Sequence, residues 1–189
     1  EAITVAIAFY LFGVSNVVLK LVPVFYSFLY LLAIYSLTRS IAGKTAAKYA
    51  LLFAAIAPAA LILWSTKARG GFIEVVLIGT LALLQAFRII DQNAKQVAQF
   101  FGLGLLLGFG WWVNNQIVFY GTALGLFFLL YCPIKLGLLK TISAGLSGIL
   151  GFFIGGLPFW YTNIIHTPRF RSIKWLFDVG DGNAVEAVF

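Results

Sequence analysis

The sequence predicts an all-α protein, a polytopic bundle of transmembrane helices, and three observations support this prediction. Of the 189 residues, 62 % are hydrophobic and 10 % are charged, whereas about a quarter of the residues in soluble domains are charged. The apolar residues form long runs separated by short polar breaks, and most runs come close to the roughly 20 residues that a helix needs to cross a bilayer. The runs also lack the alternating pattern of membrane-spanning strands.

The apolar runs place about six spans along the chain. They cover residues 16–38, 47–66, 72–90, 97–113, 117–132 and 141–161. Before them, Ala2–Phe12 is apolar but only about half of a crossing length, so we expect either a short interfacial helix or the tail of a span. Residues 1–161 therefore form a transmembrane region, and the more polar residues 162–189 begin an extracytoplasmic loop or domain. Because the sequence starts with Glu1 and contains no methionine, we interpret it as an internal piece of a longer protein.

The basic residues predict which ends of the spans face the cytoplasm. The thirteen Lys and Arg residues are scattered in small groups at span ends, which is a topology signal and not the continuous basic stripe of a nucleic-acid-binding protein. Three breaks on the same side contain Arg39, Lys44, Lys48, Arg88, Lys95, Lys135 and Lys140. The positive-inside rule makes that side cytoplasmic. Residues 65–71, residues 114–116 and everything after Tyr161 are then outside.

All five tryptophans fall on the predicted outer side. They are Trp64, Trp111, Trp112, Trp160 and Trp175. Belt tryptophans normally occur at both interfaces of a membrane, so a one-sided set indicates either a working surface or an anchoring girdle.

Glycines at small-xxx-small spacing indicate close packing of helices. Gly104 with Gly108, and Gly151 with Gly155, each lie four residues apart within a predicted span. Small residues at this spacing let helix backbones approach closely in membranes.

The first outer corner, residues 65–74, has the sequence STKARGGFIE. A glycine pair stops the preceding helix, and the next helix starts near Phe72, so its free N–H groups and positive dipole end suit an anion. Arg69 can hold a phosphate in bidentate fashion with Lys67 beside it. Glu74 lies in the first turn of that helix, where a carboxylate within a membrane segment is usually functional. The alternative is a structural ion pair between Glu74 and Arg69.

Two further outer corners combine aromatic and polar residues. The second corner, residues 111–116, contains Trp111, Trp112, Asn114 and Asn115, and the third corner, residues 160–174, contains Trp160, Tyr161, Asn163, His166 and Arg169. Indoles and amides can hold polar ligands through their N–H groups, but asparagines also serve as turn residues. His166 is the sole histidine, so no histidine-based metal site can form, and an ordinary loop histidine is the simpler interpretation. Arg169 can meet an anionic lipid headgroup.

Several motifs occur together along most of the chain. An LFG turn precedes a span that opens with Lys20, a basic turn RSIAGK follows, and the next span ends at ARGGFIE. GLGLLLGFGWWVNNQ and GGLPFWYTN supply later outer corners. In this combination the chain resembles the bacterial GT-C-type membrane glycosyltransferases, the group that includes protein mannosyltransferase-like and aminoarabinose-transferase-like enzymes.

The resemblance implies transfer of a sugar from a polyprenyl-phosphate donor to a lipid, glycan or protein acceptor, at the extracytoplasmic face of the bacterial inner membrane. The candidate catalytic residues are Glu74 and Glu1. The candidate substrate-binding residues are Lys67, Arg69, Trp111, Trp112, Asn114, Asn115, Trp160, Tyr161, Asn163, His166 and Arg169. The resemblance also implies an acidic residue, and often a metal-binding one, in a first external loop. Glu1 is then the last residue of that loop, and any divalent cation is bound upstream of this sequence.

Two other classes of function stay open. A polytopic transporter or a flippase for lipid-linked substrates would line its path with the same charges, although the spans are almost purely apolar at their centres and show no repeated halves with interrupted helices. A noncatalytic assembly subunit would use the outer charges to bind a partner.

Overall fold

The described part of the chain is helical, which confirms the all-α prediction. The structure, a computed structural model, describes residues 2–56, 71–91 and 96–165. Within these ranges the helices are α1 (Ala2–Phe12), α2 (Asn16–Ala55), α3 (Phe72–Asp91), α4 (Gln96–Val113), α5 (Ile117–Leu136), α6 (Leu138–Gly155) and α7 (Leu157–Ile165). Four of them, α2, α3, α5 and α6, are long and apolar enough to cross a membrane.

The first two predicted spans form one helix in the structure. α2 runs for 40 residues, and the one residue with non-helical dihedral angles inside it is Gly43, at φ 82° and ψ 178°. This backbone region is essentially restricted to glycine. The predicted basic break around residues 39–46 is therefore a single-residue kink between two helical halves, and not a loop. The remainder of the second predicted span, residues 57–66, lies outside the described residues.

α1 and α2 form an antiparallel pair. Three residues, Gly13 to Ser15, connect them, and the hydroxyl oxygens of Thr4 and Tyr26 lie 2.7 Å apart in a hydrogen bond. Ser15 caps α2, because its Oγ accepts a hydrogen bond from the Val18 N–H at 3.2 Å, as N-cap serines do. α1 thus lies along α2, and its position relative to the membrane stays a prediction.

α3 is the central helix of the bundle. Buried residues make up 61 % of its most apolar window, against 22 % or less for the other three candidate spans, and it packs against α2, α4 and α5. Large apolar side chains on the outer helices are exposed instead, such as Leu130 on α5 at 71 % and Leu139 on α6 at 83 %. Exposure of this kind suits helices that face lipid.

The predicted glycine contact is present between α4 and α6, which form the most extensive helix pair. A Cβ on Gly104 or Gly108 would strike backbone atoms of α6, and a Cβ on Gly151 or Gly155 would strike backbone atoms of α4. In all four cases the nearest atom is a carbonyl oxygen. The two backbones therefore touch directly, as the small-xxx-small spacing predicts.

The last predicted span, residues 141–161, has different bounds in the structure. α6 begins at Leu138, directly after the turn at Gly137, and ends at Gly155. α7 then starts at Leu157 and continues through residue 161 to Ile165. Gly156 separates the two helices, and Pro158 fits the first turn of α7, where its missing N–H costs no hydrogen bond.

Short connections between α3 and α6 give the bundle two chemically different ends. At the aromatic end lie the start of α3, the end of α4, the start of α5, the end of α6 and α7. At the basic end lie the end of α3, the start of α4 and the turn between α5 and α6, with the exposed residues Arg88, Lys135 and Lys140. The described parts of the three predicted outer corners, residues 71–74, 111–116 and 160–165, therefore share the aromatic end.

Candidate functional site at the aromatic end

Glu74 is a buried carboxylate in the first turn of α3. Its side chain is 3 % exposed, between Ile73 and Val75 at 2 % each. Gly71 precedes the helix with φ +83°, and its carbonyl oxygen accepts the N–H of Val75 at 3.0 Å. A carboxylate at membrane depth costs about 2.5–3.5 kcal/mol, so the burial of Glu74 marks this turn as a place where function is expected.

The first and second corners meet at Gly71. A Cβ on Gly71 would lie 2.8 Å from Cγ1 of Val113 and 2.9 Å from the Val113 carbonyl oxygen. Gly71 lies one turn before Glu74, and Val113 directly precedes Asn114 in the chain. Two features require a glycine at this position: the positive φ, and the close approach of α4, which leaves no room for a Cβ. The start of α3 is thereby held against the WWVNNQ stretch.

Within the second corner, the structure separates the aromatic residues from the turn residues. Trp111 packs against the buried cluster of Val75, Ile78 and Ile117. Asn114 supports the turn, because its side-chain oxygen accepts the N–H of Gln116 at 3.0 Å, which is the turn role of asparagine. Trp112 and Asn115 are half-buried.

The second and third corners meet through two phenylalanines. The ring centroid of Trp111 lies 6.2 Å from that of Phe152 and 6.0 Å from that of Phe159. The ring centroid of Trp160 lies 6.2 Å and 4.9 Å from those of the same two phenylalanines. All four contacts are edge-to-face, the arrangement that aromatic pairs prefer. We call these four residues the aromatic cluster.

The two indole N–H groups of the aromatic cluster have no acceptor in the described part of the chain. The Nε1 atoms of Trp111 and Trp160 are buried, and neither has a hydrogen-bond partner among residues 2–56, 71–91 and 96–165. Buried tryptophans usually donate this hydrogen. A cavity of about 320 Å³ lies beside Trp111 and is also lined by Ile117, Thr122 and Phe152. The cavity therefore offers the ring of Trp111 to a small molecule, whereas both buried N–H groups become accessible only if neighbouring side chains move.

The third corner contributes one buried amide from α7. Asn163 is 7 % exposed, and its Nδ2 donates to the carbonyl oxygen of Phe159 at 2.8 Å. Tyr161 is 64 % exposed, so it lies on the open side of α7 and apart from Asn163. Trp160 and Asn163 therefore stay among the candidate site residues, whereas Tyr161 faces lipid or solvent.

Five of the predicted site residues lie outside the described residues. They are Glu1, Lys67, Arg69, His166 and Arg169. Their roles stay predictions. Among the residues that are described, no three His, Cys, Asp or Glu side chains come together as metal ligands.

Sequence reasoning missed Phe152 and Phe159, which join Trp111 to Trp160. The sequence could have indicated them through its high density of aromatic residues here. Residues 152–161 contain Phe152, Phe153, Phe159, Trp160 and Tyr161. The contact between Gly71 and Val113 was also missed. It joins two different helices, α3 and α4, and no sequence pattern within either corner predicts which helices pack together.

No protein-family model, no curated protein and no solved structure matches this chain. Function must therefore be inferred from the residues of the site.

Proposed function

We propose that the chain belongs to a GT-C-type glycosyltransferase, which moves a sugar from a polyprenyl-phosphate-linked donor to an acceptor at the extracytoplasmic face of the bacterial inner membrane. The observation that carries the proposal is the position of Glu74. This buried acid stands at a helix start that Gly71 holds against Val113, next to an end of the bundle rich in indole and amide side chains. A carboxylate in such a place suits a reaction in which a hydroxyl must lose a proton.

Sugar transfer from a phosphate donor needs two kinds of group. The departing phosphate gains negative charge, which cations and helix N-termini stabilise. The helix dipole points its positive end toward the start of α3, and Lys67 and Arg69 are the predicted cations. The attacking hydroxyl needs a base, and Glu74 either accepts that proton or orients the acceptor and the cations.

The aromatic cluster supports binding of the sugar. The ring of Trp111 lines a cavity and can cover the apolar face of a pyranose. The two buried indole N–H groups can donate to sugar hydroxyls once neighbouring side chains move. Trp112, Asn115 and Asn163 do not line the cavity beside Trp111, and their contact with the sugar stays a prediction.

The test is transfer of radiolabelled sugar from a polyprenyl-phosphate donor in proteoliposomes, with the full-length protein. We expect Glu74→Gln to lower the rate about 10²- to 10⁴-fold, the usual contribution of a general base, and Arg69→Ala to lower it as well. Asp91→Asn is the matched control, because it neutralises an exposed acid at the other end of the same helix. Unchanged transfer by both Glu74→Gln and Arg69→Ala would remove the site assignment. Movement of solute without a covalent sugar product would favour the transporter or flippase.

A further inference from the structure

A second cavity lies between α4, α5 and α6 and adjoins the cavity beside Trp111, with which it shares Leu107, Gly121 and Phe152. Its volume is about 600 Å³, within the range of about 300–1,000 Å³ found for ligand pockets. Its walls are apolar and include Leu103 and Leu107 on α4, Gly121 and Gly125 on α5, and Gly145 on α6. We call this cavity the α5–α6 groove.

Glycines keep the α5–α6 groove open. A Cβ on Gly121, Gly125 or Gly145 would meet nothing within 4 Å, in contrast to the glycines that bring α4 and α6 together. These three glycines are therefore not needed for helix contact in the described part of the chain. Their effect is to leave free volume along helices that are long and apolar enough to lie in a membrane.

The length of the groove fits a single lipid chain. Its α5 wall runs from Gly121 to Cys132, a rise of about 16 Å at 1.5 Å per residue. The hydrocarbon core of a bilayer is about 30 Å thick. The groove is therefore about as long as one leaflet is thick.

Two lysines lie at the basic end of the groove. On α5 the lining positions Phe128 and Cys132 are followed by Lys135, which is three residues further on and so shares their face. On α6 the lining position Ala144 is preceded by Lys140 four residues earlier, again on the same face. Both lysines are exposed, on either side of the turn at Gly137. An apolar groove that ends at two cations is complementary to an anionic amphiphile.

We propose that the α5–α6 groove binds an anionic phospholipid of the leaflet at the basic end, with one acyl chain in the groove and the phosphate between Lys135 and Lys140. This inference does not rest on the proposed glycosyl transfer. The cations assign the headgroup to the basic end, whereas the donor phosphate of the proposed reaction would lie at the aromatic end. Lysine near an anionic headgroup contributes about fivefold to binding.

The experiment is native mass spectrometry of the intact chain, released from nanodiscs that contain equal amounts of phosphatidylglycerol and phosphatidylcholine. We expect bound phosphatidylglycerol to exceed phosphatidylcholine, and Lys135→Gln with Lys140→Gln to reduce this preference roughly 25-fold, about fivefold for each lysine. The control pair is Lys44→Gln with Lys48→Gln, which removes the same charge beside the α2 kink and should leave the preference unchanged. Gly125→Leu with Gly145→Leu fills the groove at positions with open space and should reduce retention of both lipids.

Three results would overturn the proposal. An equal loss of preference in the control pair would show that general surface charge selects the lipid. Undiminished lipid retention after Gly125→Leu with Gly145→Leu would show that the groove is not the binding site. Displacement of the phospholipid by polyprenyl phosphate, with no effect of the two lysines, would assign the groove to the donor instead.

Discussion

Substitution of Gly151 by alanine tests the contact between α4 and α6 in quantitative terms. The new Cβ would strike the carbonyl oxygen of Phe101 and lie 3.0 Å from the backbone nitrogen of Leu105. Backbone atoms of a packed helix cannot move aside as a flexible side chain can, so the helices must separate. Overpacking of this kind costs about 1–3 kcal/mol, while the higher helix propensity of alanine returns up to about 1 kcal/mol.

Gly145→Ala on the same helix isolates the steric cost. Its Cβ would meet nothing within 4 Å, so this variant gains helix propensity without overpacking. The free energy of unfolding of Gly151→Ala should therefore lie about 1–3 kcal/mol below that of Gly145→Ala. For a chain of this size the difference corresponds to roughly 2–12 °C in the midpoint of thermal unfolding.

The sole cysteine provides the assay. Cys132 is 3 % exposed, so a thiol-reactive fluorophore reports its release as the protein unfolds in detergent. Equal midpoints for Gly151→Ala and Gly145→Ala would refute the inferred contact, because they would show that α4 and α6 do not approach closely at Gly151.

Three further predictions concern other parts of the fold, and each is checked by the same thermal unfolding assay. Gly79→Ala should lower the free energy of unfolding by about 1–3 kcal/mol, because the ring of Tyr120 lies against this glycine. Most of that loss should disappear when Tyr120 is also replaced by alanine. An undiminished loss in the Tyr120→Ala protein would contradict the contact. Gly43→Ala should lower the free energy of unfolding by about 1–3 kcal/mol through backbone strain alone. Gly121→Ala, whose Cβ also meets open space, should not lower it. Equal unfolding midpoints for these two variants would mean that α2 has no kink at Gly43. Thr4→Val and Tyr26→Phe should each lower the free energy of unfolding by about 0.6 kcal/mol, the average for hydrogen bonds within membrane bundles. The double variant should lose no more than either single variant. Additive losses would exclude the hydrogen bond.

The sequence predicts the helical class and the glycine contact well because both depend on local or periodic patterns. Apolar runs of crossing length can form little else in lipid, and the four-residue spacing of Gly104 with Gly108 marks one face of one helix. The ends of helices were harder to predict. A glycine such as Gly43 breaks a span without needing a loop, and Gly156 with Pro158 divides an apolar run that hydropathy alone leaves continuous.

The sequence points to several candidate site residues but not to the contacts between them. Trp111, Trp160 and Glu74 stand out because indoles and acids are costly or unusual in apolar sequence. Which of them meet depends on how far apart α3, α4 and α7 lie, and that distance is set by glycines such as Gly71. Adjacency in sequence does not predict a shared site. Tyr161 directly follows Trp160, but it lies on the exposed side of α7.

The most direct test of the proposed function is the initial rate of sugar transfer by Glu74→Gln divided by that of Asp91→Asn, measured in vesicles of the same composition. Both variants remove one negative charge from α3, so a general effect of charge cancels in the ratio. If the buried acid at the aromatic end serves the reaction, the ratio should be about 10⁻² or lower. A ratio near one, with both proteins folded, would contradict a role for Glu74 in transfer.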